Sequence, residues 1–342
     1  MKFLRLAFYV LIAQLVLSGC AGEGVEETSS SSSSEINFDA YLGRNASTRA
    51  GETNITSLKK SGFGVFARYN HDGTISSLMD NEYVTWKGDR WVYTNTRYWP
   101  NEGNVDFYAF APYHESVKLV NKPKSNDPYI EFTSSASVDL VWGAQKNKTA
   151  PTSPTDKVKF KFQHALARLA FDITANQKLE ENGAVINVEE VKLYGNTENE
   201  GAFDINGYLN LEDGTWSVVG PVISTRTVYT WTPTGAEDGS FKLSASQLNH
   251  ECTKIENAPN SYLCIIPQEK HYPFYLQITY TVQQGTFEEK KKVTVRKNLL
   301  DVHEPFPFEM GKAYVFHLKL SLDPINFSIT TTVENFVEGK NE

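Results

Sequence analysis

The sequence predicts an all-β fold built from antiparallel β-sandwiches, and three observations predict it. Apolar and polar residues alternate in many segments, such as Phe63–Tyr69 and Val105–Ala111, and this period of two buries one face of a strand. Glycine, proline, asparagine and aspartate separate these segments. The sequence lacks the sustained apolar spacing of a helix. Short strands joined by such turns are typical of β-sandwiches.

The first residues read as a secretory signal of the lipoprotein type. Lys2 and Arg5 precede the apolar run Leu6–Leu17, which ends shortly before Cys20. The run is shorter than the ~20 residues of a membrane-spanning helix. Cleavage by signal peptidase II would remove residues 1–19 and leave Cys20 to carry acyl chains such as palmitate, which anchor the protein. An ordinary signal with an incidental cysteine is the alternative.

Residues 20–35 are predicted to be a flexible tether. They combine acidic residues with a serine run from Ser29 to Ser34, a composition that buries too little apolar surface to fold. The acids just past Cys20 resemble an export signal of surface lipoproteins, and a solvated spacer is the alternative. We therefore expect an outer-membrane lipoprotein exposed at the cell surface.

The remainder is long enough for two domains. Polar residues and two prolines interrupt the strand pattern over Lys146–Asp156, so we predict sandwiches at 36–157 and 158–342. Loss of the signal, which holds one lysine and one arginine, would change the net charge from −8 to −10. This acidic balance predicts no nucleic-acid partner.

Two turns can be predicted from their residues. Asn70–Gly73 follows the Phe63–Tyr69 segment with residues that favour turns. Gly88-Asp89 separates two aromatic-rich segments. Glycine accepts the positive φ at the first position of a type II′ turn, so Gly88 predicts a two-residue hairpin.

Catalytic and metal-binding patterns are missing from the sequence. The seven histidines show no HxxxH or HExxH spacing, and the acidic residues are dispersed, unlike the ligands of zinc or calcium sites. We predict no enzyme activity, no catalytic residue, no metal and no cofactor. Cys252 and Cys264 could form a disulfide or remain two unpaired thiols.

Three tryptophans are the candidate glycan contacts. Trp86, Trp91 and Trp99 lie close together in the sequence. Exposed rings of this kind stack on sugars, whereas buried rings are ordinary sandwich core, and we favour the core because large aromatics dominate such interiors.

Several ordered segments carry a resemblance to a known family. They are Cys20, Ala46–Ala50, Ser61–Ala67, Tyr98–Pro100, Val105–Pro112, Asp139–Ala144, Phe160–Ala167, Cys264–Gln268 and Gly311–Tyr314. Together they resemble the fimbrillin family, the Mfa-like and FimA-like type V pilins. The resemblance implies two tandem transthyretin-like Greek-key β-sandwiches that polymerise or adhere. Implied partners are other pilin subunits, the outer membrane through lipid, and a host or bacterial surface ligand.

The resemblance also implies that an arginine-specific protease removes the first strand, whose groove then accepts a strand from another subunit. We expect cleavage after Arg49, with Arg44 as the second candidate, because Asn45–Gly51 is small and polar. An uncut loop in a permanent lipoprotein is the alternative.

The strand to be removed would bury one face. Its inward residues are Ile36, Phe38, Ala40 and Leu42. Burying the three larger side chains contributes on the order of 4–9 kcal/mol, against ~5–15 kcal/mol for a whole domain. Loss of the strand should leave a groove that must be refilled.

A candidate donor strand lies in residues 325–337. Its apolar positions are Ile325, Phe327, Ile329 and Val333. The alternative is that this segment is the last strand of its own domain. The sequence thus predicts a pilus subunit, and the second hypothesis is a lipid-anchored glycan-binding protein that does not polymerise.

Overall fold

The computed structural model describes residues 34–42, 53–120, 126–135, 138–175, 184–198, 200–218, 226–227, 229–231, 241–243, 253–254, 263–269, 273–284, 290–301, 307–320 and 328–335. In the first half of the chain the strands are β1 Phe38–Tyr41, β2 Phe63–His71, β3 Thr74–Lys87, β4 Arg90–Val92, β5 Asn104–Ala111, β6 Leu119–Val120, β7 Tyr129–Thr133, β8 Val141–Lys148, β9 Val158–Lys161 and β10 Gln163–His164.

The second half of the chain is also built from strands. They are β11 Ala167–Ala175, β12 Ala184–Tyr194, β13 Phe203–Asp204, β14 Asn206–Asn210, β15 Trp216–Val218, β16 Arg226–Thr227, β17 Tyr229–Trp231, β18 Phe241–Leu243, β19 Thr253–Lys254, β20 Leu263–Ile265, β21 Tyr275–Gln284, β22 Lys290–Asn298, β23 Lys312–Leu320 and β24 Ser328–Asn335. Among the described residues, an α-helix, α1, spans Ile55–Ser61 and a 3₁₀ helix spans Leu299–Asp301.

The first half is organised around a six-stranded sheet in the order β10-β8-β5-β2-β3-β4. A separate pair, β1 with β9, closes the same core. Both predicted turns are confirmed. Asp72 and Gly73 have positive φ between β2 and β3, and Gly88 has φ +67° between β3 and β4.

The second half contains two larger sheets. One has the order β17-β12-β21-β22, with β18 beside β12, and the other has the order β19-β11-β23-β24, with β20 beside β11. Their inner faces enclose a core that includes Val191, Leu276, Phe308 and Phe316. Most pairings are antiparallel, while β1–β9 and β11–β23 are parallel. The prediction of an all-β fold with antiparallel sheets is confirmed.

The two halves are joined by a shared sheet, β15-β14-β7-β6. Strand β7 from the first half pairs with β14 from the second half over five residues, Tyr129–Thr133 against Asn206–Asn210. A third apolar cluster lies beside this sheet and contains residues from both halves, among them Tyr108, Trp142 and Leu209.

The packing changes later in the chain than the predicted boundary at 157/158. Val158, Phe160 and Phe162 belong to the first core, because β9 pairs with β1 at the start of the chain. Ala167 and Leu169 are the first residues of the second core. Within the described residues, no helix has the length and apolar character needed to cross a membrane.

Candidate functional site: the first strand and its groove

The predicted first strand is inserted in the first core. We use the term first strand for residues 36–42, which contain β1. Ile36, Phe38 and Leu42 are 0%, 2% and 4% exposed, whereas Tyr41 is 42% exposed. Ala40 is half-buried against the same core. The observed alternation is the one expected of a strand with one buried face.

Backbone hydrogen bonds hold the first strand on two sides. On one side, the N–H of Ile36 donates to the carbonyl of Arg97 at 2.8 Å. On the other side, the N–H groups of Val158 and Phe162 donate to the carbonyls of Asn37 and Tyr41, both at 2.8 Å. Strand β1 runs parallel to β9, which has no other strand neighbour among the described elements. The first strand is therefore the only described cover of the β9 edge.

Four aromatic rings surround Phe38. Its ring stacks on Phe160 at 5.8 Å between centroids and meets Phe63 and Phe107 edge-on at 6.5 and 6.0 Å. Tyr93 lies at 5.4 Å with tilted planes. These distances and angles are the favourable ones for aromatic pairs, each contributing about 0.5–1.5 kcal/mol beyond burial. We use the term groove for these four rings, the backbone of residues 97–99 and the facing edge of β9.

The Tyr93 hydroxyl links the first strand to the groove. It donates to the carbonyl of Ile36 at 2.7 Å and accepts from the N–H of Arg97 at 3.1 Å. Burial raises the pKa of Tyr93 to about 12, because the phenolate would be poorly solvated there. No pattern in the sequence predicts this role, since nothing relates residue 93 to residue 36.

A buried carboxylate holds the chain just after the expected processing region. The N–H of Thr53 donates to Asp139 Oδ2 at 2.9 Å, and Thr53 Oγ1 donates to the Asp139 carbonyl at 2.6 Å. The Asp139 side chain is fully buried, with His164 Nδ1 at 2.9 Å and Arg168 Nη2 at 3.8 Å. The chain is thus held at Leu42 by the core and at Thr53 by Asp139.

Helix α1 begins directly after this contact. Asn54 caps it: its side chain accepts from the N–H of Ser57 at 2.9 Å, and Ser57 Oγ accepts from the N–H of Asn54 at 2.7 Å. Leu58 is its buried residue. The reciprocal capping explains why so short a segment is helical.

Several predicted site residues lie outside the described residues: Cys20, Arg44, Arg49, Ile325 and Phe327. Ile329 and Val333 lie on β24, which pairs antiparallel with β23, Ile329 opposite Leu318 and Val333 opposite Tyr314. In this structure they belong to the last strand of their own sheet, where β24 is the edge.

The tryptophans do not form a surface platform. Trp91 and Trp99 are each 5% exposed and pack edge-on against Phe63 and Phe107. Trp86 is half-buried, with Lys59 Nζ 3.8 Å from its ring centroid. Trp91 and Trp99 therefore belong to the first core, which is the alternative that we favoured over glycan contact.

Cys264 is buried on β20, and its carbonyl accepts from Ser134 Oγ at 2.8 Å. Cys252 lies outside the described residues, so the disulfide stays a prediction. The described part of the chain contains no group of three His, Cys, Asp or Glu side chains arranged to hold a metal ion.

Known proteins resemble this chain over most of its length. A family model described as fimbrillin-like matches residues 48–335. The chain belongs to the fimbrillin-like family. It is similar to the fimbrium subunit Fim1C of Phocaeicola vulgatus, with 29% identity over 187 residues. That match covers 47% of this chain and 49% of the relative, so it spans about half of the relative's length.

A solved structure shares the fold of this fimbrillin-like chain. It is a fimbrial protein from Bacteroides vulgatus, with a TM-score of 0.68 and 21% sequence identity. The superposition covers 89% of this chain and 99% of that one. The family assignment suggested by the sequence is confirmed by the family model that matches residues 48–335.

Proposed function

We propose that this chain is a structural subunit of a surface pilus and that it polymerises by strand exchange after proteolysis removes its first strand. Membership of the fimbrillin-like family supports the fimbrial role. The observation that carries the assembly step is the insertion of Phe38 among four aromatic rings by a short strand along the edge of β9.

Removal of the first strand would expose the apolar groove to water, which is unfavourable in free energy. The apolar contribution lost is on the order of 4–9 kcal/mol. The N–H groups of Val158 and Phe162 would also lose their acceptors, at about 1–3 kcal/mol each if they stayed buried. An added strand restores both the backbone bonds and the side-chain burial. The free energy of refilling the groove would therefore drive assembly.

Cleavage after Arg49 would leave the rest of the fold attached. The new chain would begin at Ala50, close before Thr53, which keeps both hydrogen bonds to Asp139. The helix cap at Asn54 also lies beyond the cut. Mass spectrometry of surface protein tests this step. An amino terminus at Ala50 supports processing, a terminus at Asn45 points to Arg44, and an acylated Cys20 alone contradicts it.

The replacement strand would come from the segment 325–337 of another subunit. Strand β24 is an edge strand, so its release breaks pairing with β23 alone among the described strands. A chain truncated before Asp323 should be cleaved normally but should fail to polymerise. Normal fibres from that truncation would exclude this donor.

Export would depend on the lipid at Cys20. We expect metabolic labelling with palmitate to mark the precursor and to be lost in Cys20→Ala, because the acylated thiol is then absent. Surface protease accessibility of the labelled chain would test display at the outer face. Label retained by Cys20→Ala would contradict lipidation at this position.

The deciding experiment is electron microscopy of the protein before and after trypsin-like cleavage. The wild type should form fibres only after cleavage. Arg44→Ala/Arg49→Ala should remain monomeric under the same treatment, because its first strand is retained. A cleaved wild-type chain that stays a compact monomer would refute the proposal.

The hypothesis of a non-polymerising glycan-binding protein receives no support from the tryptophans, since Trp91 and Trp99 lie in the core. A catalytic role is also not proposed. The chain's relatives are fimbrial proteins, and the groove is lined by aromatic side chains rather than by acid–base pairs.

A further inference from the structure

The four side-chain positions of the groove differ in burial and in the size of the side chain that they hold. The Ile36 position is fully buried and the Leu42 position is 4% exposed. The Phe38 position is enclosed by aromatic rings. The Ala40 position, in contrast, is half-buried and holds a small side chain. The side chains of an incoming strand must fit these four positions in order.

The Phe38 position selects an aromatic side chain. A smaller residue would leave a cavity among four rings, which is strongly unfavourable in a packed core. The segment 325–337 contains two aromatic residues, Phe327 and Phe336. Each could enter in either chain direction, which gives four placements.

Buried charge excludes both placements of Phe336. With Phe336 at the Phe38 position, Glu334 falls at the Ile36 position if the strand runs in the direction of β1. If the strand is reversed, Glu338 falls there instead. The Ile36 position is 0% exposed, and an unpaired carboxylate is strongly disfavoured in such a site.

Buried charge also excludes the reversed placement of Phe327. That placement brings Asp323 to the Leu42 position, which is 4% exposed. The remaining placement keeps Phe327 at the Phe38 position and runs in the direction of β1.

This remaining placement buries no charge. Ile325 takes the Ile36 position, and the larger Ile329 takes the half-buried Ala40 position, which has an open side. Thr331 takes the Leu42 position. The tripeptide Ile325-Asn326-Phe327 thereby repeats Ile36-Asn37-Phe38 residue for residue.

The backbone of the groove accepts this placement as well. It puts Pro324, which has no N–H, at the position of Glu35. Glu35 forms a bridge with Tyr98, but the two bonds of that bridge use the N–H of Ile36 and the carbonyl of Ser34. Proline at this position therefore removes neither bond.

We infer that the incoming strand runs parallel to β9 in the same direction as the strand that it replaces, with Phe327 of a second copy of this chain at the Phe38 position. This inference rests on the proposed strand exchange and adds its direction and register. To reach the groove, Ser328–Thr331 must leave the pairing with Phe316–Lys319 of β23.

Cysteine pairs distinguish the two directions. Asp39 is the register partner of Lys159 on β9, and paired residues of neighbouring strands lie within the ~4.4–6.8 Å between Cα atoms that a disulfide spans. In the inferred direction Ser328 replaces Asp39, so Lys159→Cys with Ser328→Cys should cross-link adjacent subunits. In the reversed direction Asn326 takes that position. Both double-cysteine variants would also carry Cys252→Ser, and each protein would be cleaved before oxidation.

The outcomes separate this inference from the proposed function. Fibres that cross-link through positions 159 and 328, but not through 159 and 326, support the inferred direction. Fibres that cross-link through 159 and 326, or through neither pair, overturn the direction while the strand exchange stands. Absence of fibres from the cleaved wild type overturns the proposed function and the inference together.

A peptide measurement tests the register independently. A synthetic peptide of residues 323–335 should bind the cleaved chain, and Phe327→Ala in the peptide should weaken binding by at least about a hundredfold, the equivalent of the lower cost of a Phe→Ala change in a core. Val333→Ala should leave affinity within about threefold, because residue 333 lies beyond the Leu42 position in this register. Equal losses from both changes would overturn the inference.

Discussion

Phe38→Ala in the uncleaved chain gives the sharpest test of how the first strand is held. Phe38 is 2% exposed and its ring meets Phe63, Tyr93, Phe107 and Phe160 within 6.5 Å. These rings also pack on one another and on the first core, so the space cannot collapse freely. We expect the free energy of unfolding to fall by about 3–5 kcal/mol.

Urea unfolding followed by tryptophan fluorescence measures this change, because Trp91 and Trp99 lie in the same core. With a slope of about 3 kcal/mol per molar urea, the midpoint should fall by about 1–2 M. Tyr41→Ala is the matched control on the same strand, since Tyr41 is 42% exposed. It should move the midpoint by less than about 0.3 M.

The effect should vanish after processing, because the cleaved chain no longer contains residue 38. Fibres made from wild-type and Phe38→Ala precursors should therefore melt at the same temperature. Equal midpoints for the two uncleaved proteins would refute the argument that Phe38 is what holds the first strand. A lower melting temperature of the variant fibres would show that the first strand remains in the assembled subunit.

Three further predictions concern the supports of the groove. The raised pKa of Tyr93 favours the protonated phenol in the folded chain. The stability that this phenol contributes is therefore complete below pH 10 and is lost between pH 10 and about 12. Urea midpoints should fall more steeply over this range in wild type than in Tyr93→Phe. Asp139→Ala should lower the free energy of unfolding by about 3–5 kcal/mol, in cleaved and uncleaved chains alike, because it leaves His164 and Arg168 without this buried carboxylate. A loss confined to the uncleaved chain would contradict the role of Asp139 in holding Thr53. Asn54→Ala should cost about 1 kcal/mol in urea unfolding through loss of the helix cap, and an unchanged midpoint would contradict it.

Features set by neighbouring residues could be predicted from the sequence. Gly88 tolerates positive φ, so the tight turn after β3 follows from two residues. The alternation of Ile36, Phe38 and Leu42 predicted which face is buried, because side chains alternate along any strand. Both arguments need only a few consecutive residues.

Features set by distant residues could not be predicted in this way. The pairing of β1 with β9 joins Phe38 to Val158, and neither segment carries a signal for the other. The same pairing explains why residues 158–162 pack in the first core, although the prolines before them suggested a boundary. Helix α1 was missed because one buried residue, Leu58, is too few to create a periodic pattern.

The sheet shared by β7 and β14 has a mechanical consequence. A pull that draws the first core away from the second must break the register of Tyr129–Thr133 against Asn206–Asn210 and open the apolar cluster beside it. The two halves are thus joined by paired strands rather than by a flexible linker, and we expect them to resist tension along the chain as one unit.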